Sequence, residues 1–161
     1  MFGRPRWAVF DEETQSVYVN IADPAQIAVI DTTTLTLGAH IDVPAAGPHG
    51  LAIVQRRRAS LWCAADAGAL VIIDRDAHEI LATLPLPGTP DVIMYDRDLG
   101  RLYVAVGTPG TVTAFDIDRR AELETISTEE GAHTIGWDPA TRRLFVFQPK
   151  SCGVAIYAET A

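Results

Sequence analysis

The feature that most constrains this chain is an internal repeat. Pro48-His49-Gly50-Leu51-Ala52-Ile53 returns in register as Pro90-Asp91-Val92-Ile93-Met94-Tyr95 and Ala132-His133-Thr134-Ile135-Gly136-Trp137, and Pro5-Arg6-Trp7-Ala8-Val9-Phe10 precedes it. The starting residues lie 43, 42 and 42 positions apart, a period that marks stacked supersecondary units and is too long for one hairpin. The repeats run over about 5–47, 48–89, 90–131 and 132–161, within one domain covering residues 1–161. Each breaks into short β-rich runs, A to D, separated by turn residues, which predicts an all-β fold. The fourth repeat stops after run C, at Gly153 to Tyr157, so its D strand is missing.

Run D of the third repeat, Glu122 to Ser127, would pass as helix on propensity alone, and register assigns it to strand. Two columns carry the packing logic: Phe10, Ile53, Tyr95 and Trp137 in run A, and Tyr18, Trp62, Tyr103 and Phe145 in run B. Large side chains recurring at fixed places belong where one sheet packs on the next. Asp31, Asp74 and Asp116 recur after run C, where a carboxylate bonding to the backbone ahead of it starts a turn. Arg56-Arg57-Arg58 holds a one-residue insertion relative to the other repeats and reads as a solvated hairpin tip.

Composition excludes several partners. A net charge of −8 leaves no basic footprint for nucleic acid or an anionic membrane surface. No apolar run approaches the ~18 residues of a membrane span, and the start carries no apolar stretch of a signal peptide. Taken literally, the chain is expected in the cytoplasm. Cys63 and Cys152 fall at different points of the repeat and read as separate thiols. Gly-rich phosphate loops, a serine elbow and Cys-x-x-Cys are all missing from the sequence.

Four-stranded sheets repeating every forty-odd residues are the blades of a β-propeller, as in WD40-like repeat proteins. The run B signatures Tyr18-Val19-Asn20 and Tyr103-Val104-Ala105, each followed by a strand ending in hydrophobic-Asp, resemble the YVTN (YncE-type) propeller family over nearly the whole chain. The resemblance implies a partial or half ring of four blades, the last incomplete. Family members usually close about seven blades and are often exported, so the chain resembles the C-terminal portion of a longer propeller or a half-ring that pairs. An open arc with an unpaired strand near Val154 to Tyr157 predicts self-association, with a two-fold ring of eight blades as the closed solution.

In an up-and-down blade the D to A links and B to C loops emerge at one end. That end carries Arg6, His49, Asp91 and His133 at the starts of the innermost strands, together with the loops at Ala22–Ala25, Asp66–Gly68, Gly107–Gly110 and Pro149–Ser151. Gly47-Pro48 and Gly88-Thr89-Pro90 make the approach rigid. His40, in a D strand, and His78, in a C to D turn, read as surface residues. Three functions compete: a module binding a small molecule or protein at the rim; a metal-dependent lyase or hydrolase; and a structural half-propeller that assembles into a ring. For the second, His49, Asp91 and His133 are the candidate ligands of zinc or another divalent ion, with Arg6 orienting an anionic substrate. The resemblance to peptidyl amidating lyase propellers, with inner-strand histidines on a channel zinc, extends only to His49 and His133. Without metal, the same four residues make a pH-sensitive site for an anion or carbonyl group.

Overall fold

Strands form here because runs of four to eight residues rich in β-branched, aromatic and other apolar side chains are punctuated by Asp, Gly and Pro. A computed structural model describes residues 3–56 and 58–158; Arg57 of the arginine run lies outside the described residues. These residues are all-β, with no helix among them.

They form four small antiparallel sheets. Sheet 1 comprises β1 (Pro5–Asp11), β2 (Ser16–Ile21), β3 (Gln26–Asp31) and β4 (Thr36–Asp42), in that order. Sheet 2 comprises β5 (Pro48–Val54), β6 (Ser60–Ala65), β7 (Ala69–Asp74) and β8 (Ile80–Pro85). Sheet 3 follows with β9 (Thr89–Asp96), β10 (Arg101–Thr108), β11 (Thr111–Asp116) and β12 (Ala121–Ser127). Sheet 4 has three strands, β13 (Ile135–Asp138), β14 (Arg143–Gln148) and β15 (Gly153–Ala158). The segment with helical propensity is strand β12, pairing with β11 along its length. The chain divides into two compact units, the first ending at Pro85 and the second beginning at Leu86, so the division falls between the second and third sheets.

Each strand directs successive side chains to opposite faces, and the two faces of a sheet do different work. In the first unit Val9, Tyr18, Ile27, Val29 and Ile41 of sheet 1 pack against Leu51, Ile53, Leu61, Cys63, Val71 and Ile73 of sheet 2 in one apolar cluster. We call the first set a forward face and the second a rear face. In the second unit the forward face of sheet 3 meets the rear face of sheet 4, where the Tyr103 and Trp137 rings stack with centroids 5.0 Å apart. The column in run B therefore lies on forward faces and the column in run A on rear faces. Within each unit, one column meets the other.

The strands turn by a repeated device. Asp31 Oδ1 accepts the N–H groups of Thr33 (2.7 Å) and Thr34 (2.9 Å), and Asp74 Oδ1 those of Asp76 (3.0 Å) and Ala77 (2.7 Å). Asp116 Oδ1 accepts from Arg119 N (2.8 Å). The same arrangement recurs at Asp11, Asp96 and Asp138, one step earlier in the repeat. Four residues after each aspartate the chain enters the left-handed region, at Gln15, Leu35, His78, Gly100, Arg120 and Arg142, with φ between 51° and 65°. His78 thus sits in a turn, as expected. Arg58, at the hairpin tip, pairs with buried Asp74. Arg75 crosses from sheet 2 to Asp11 (3.0 Å) and Glu13 (2.7 Å) of sheet 1, tying the first unit together at its turn end.

Two outcomes are expected. Tyr103 is 4% exposed, so Tyr103→Ala removes a stacked ring from the sheet interface and costs about 3–5 kcal/mol in denaturant unfolding. Donors around the turn carboxylates hold them below the usual range: the Thr33 hydroxyl leads at Asp31, the Ala77 N–H at Asp74 and the Thr141 hydroxyl at Asp138. A depressed folded value contributes stability above the unfolded value of about 3.9 that is lost as pH falls through the folded one. Melting temperature therefore holds from neutrality to about pH 5 and falls steeply below about pH 4, as thermal melts across that range will show.

Candidate functional site

Antiparallel pairing puts the starts of β1 and β5 and the β2–β3 and β6–β7 loops at one end of their sheets. In the first unit this brings three charged side chains together. Arg6 Nη1 lies 3.5 Å from His49 Nε2, and His49 Nδ1 lies 3.1 Å from Asp66 Oδ1. Arg6 Nη2 closes the triangle at 3.5 Å from Asp66 Oδ2. Their side chains keep 18–31% of their exposure, so the cluster is shielded but reachable.

The local backbone explains why they meet. Gly47, at φ +70°, lies against Asp66, whose Cβ would be 2.7 Å from any Cβ added there. The link and loop are also sewn together by Asp66 N to Gly47 O (2.8 Å) and Ala67 N to Ala46 O (3.1 Å). Just beyond, β5 breaks register with β6 between Pro48 and Leu51. The carbonyls there are taken up by fully buried Asn20, whose Nδ2 donates to His49 O (2.9 Å) and Gly50 O (3.0 Å). Cys63 Sγ donates to Asn20 Oδ1 at 3.5 Å, and burial pushes this thiol up to about 12. Both cysteines are free, Cys63 buried and Cys152 exposed.

The second unit has a smaller version. His133 Nδ1 lies 2.7 Å from Asp91 Oδ2, with side chains 53% and 26% exposed. Gly88 replaces Gly47, and a Cβ there would fall 1.8 Å from the Thr108 carbonyl. Beside this pair, Glu129 Oε2 accepts the N–H groups of Lys150 (2.9 Å) and Ser151 (3.3 Å), and Lys150 Nζ pairs with Glu130 at 2.7 Å. That contact lowers the Glu130 carboxyl and raises the Lys150 amine.

All four residues expected at the rim thus stand at the same end of their own sheets, and they meet in pairs, each joining the first strand of one sheet to the next repeat. His49 engages Arg6 and Asp66 in the first unit, and Asp91 engages His133 in the second. Among the described residues, no group of three or more His, Cys, Asp and Glu is gathered to hold a metal ion.

No family model and no curated protein matches the chain. Many solved chains share its fold. One is hydrazine synthase of Kuenenia stuttgartiensis, with a TM-score of 0.81 and 12% identity over 99% of this chain and 51% of that one. The chain spans about half the length of that protein, and the likeness is one of fold.

Two residues of the site were not singled out as such from the sequence. Asp66 was placed in a rim loop, without a partner. Asn20 stood in the Tyr18-Val19-Asn20 signature, where its neighbours define the strand and its own bonds are invisible. Removing its amide takes a hydrogen-bond donor from the His49 and Gly50 carbonyls. Asn20→Ala is therefore expected to cost about 1–3 kcal/mol by chemical denaturation, whereas Ala105, its counterpart in sheet 3, supplies no such clamp.

Proposed function

We propose that this chain is a β-propeller binding module of the YVTN/YncE type, each sheet forming one blade, with its ligand held where the D to A links and B to C loops come together. The observation that carries this reading is the Arg6–His49–Asp66 triangle. A guanidinium, an imidazole and a carboxylate stand together, partly shielded and held by loop and link backbone. Such a set suits a small anionic or carbonyl ligand: Arg6 offers a planar pair of donors to a carboxylate or phosphate, at the expense of its contact with Asp66. His49 supplies a further hydrogen bond. The fold supports the reading as a scaffold, since rigid sheets hold short loops in place, and chemistry must be argued from the site itself.

Calorimetry with inorganic phosphate and with a simple dicarboxylate tests it. The wild-type chain is expected to bind at least one of these probes, and Arg6→Ala and His49→Ala each to weaken binding about tenfold or more while melting within a few degrees of wild type. Absence of heat with wild type, or equal heats for all three chains, overturns the reading.

A further inference from the structure

Two sheet faces in this molecule carry large apolar side chains that stand exposed. The forward face of sheet 4 exposes Phe147 (46%), Val154 (57%) and Ile156 (56%). The rear face of sheet 1 exposes Phe10 (50%) and Leu37 (40%), around a hollow of about 370 Å³ lined by Val19, Ile30, Leu35 and Leu37. Six of the eight large apolar side chains exposed among the described residues lie on these two faces, counting Leu35. Contiguous patches of this kind mark surfaces that dock.

The repeat identifies what docks there. In the first unit a forward face is covered by a rear face, sheet 1 on sheet 2, and in the second unit the same holds for sheet 3 on sheet 4. Register places Phe147 and Val154 where Asn20 and Ile27 stand in sheet 1, and Phe10 where Ile53 stands in sheet 2. Ile27 is fully buried, and Ile53 packs on the same cluster. The two uncovered faces are therefore the two unlike halves of an interface the chain already builds twice.

We propose that sheet 4 of one copy packs its forward face on the rear face of sheet 1 of a second copy, continuing the repeated interface between molecules. The contact is heterologous: each copy offers one face of each kind, and neither face serves as its own complement. This is independent of the ligand proposed above, since the contact is made by apolar side chains and uses none of Arg6, His49 and Asp66.

Mixing experiments distinguish this contact from every symmetric one. One chain carries Phe147→Asp with Ile156→Asp, and the other Phe10→Asp with Leu37→Asp; all four positions are exposed, and far-UV spectra and melts confirm that each variant folds. In light scattering at about 10 μM, wild type is expected to run as two chains or more and each variant as a monomer. An equimolar mixture of the two variants then forms a one-to-one complex, because one intact forward face meets one intact rear face. Monomeric wild type overturns the proposal. So does assembly that only one of the variants abolishes, which signals like faces meeting, or a mixture of the variants that stays monomeric.

Discussion

The whole arrangement depends on the two-residue period of the extended chain. Because alternate side chains leave a strand on opposite sides, a four-stranded sheet acquires two apolar faces as soon as both sets are apolar, and neither can be left to water without cost. Burial then requires a sheet on each side. The repeat answers this with one interface used again: Tyr18 reaches the cluster around Ile53, and Tyr103 stacks on Trp137. Nothing new has to be invented at each step.

Ends of strands obey a different logic. Turns closed by an aspartate and a left-handed residue take up one end of each sheet, and their work is finished once the local N–H groups are satisfied. At the other end, links and loops press together so tightly that Gly47 and Gly88 admit no side chain. Crowding of backbone on backbone places Arg6 beside His49 and His133 beside Asp91. The site is a by-product of how successive sheets are joined within each unit, and its polar character comes from side chains that the apolar packing does not enclose.

Much of this was legible in the sequence for a physical reason. Anything that repeats, such as the short β-rich runs, the aromatic columns and the aspartates after run C, is stated several times and survives local ambiguity. Strand β12 shows it: Glu122, Leu123 and Glu124 suit a helix, yet the register of the other repeats assigns them correctly. What occurs once was not legible. Asn20 stands opposite Ala64, Ala105 and Phe147 in the other repeats, so no column announced it, and Asp66 acquires its meaning from a loop folding back on Gly47. The pairing of Arg6 with His49 and of Asp91 with His133 likewise reflects three-dimensional contact that a column of aligned residues does not contain.

Strand β15 has a consequence for the order in which the molecule comes apart. Among the described residues it is bonded to β14 alone, whereas the third strand of every other sheet is held on both sides. In a structure built of neighbour contacts, opening begins where neighbours are fewest and proceeds inward. Amide protons of Gly153 to Ala158 would then exchange first, followed by those of β14, while β6 and β7, buried along most of their length, would hold to the last. A partner seated on β15 would slow exchange far beyond the residues it touches.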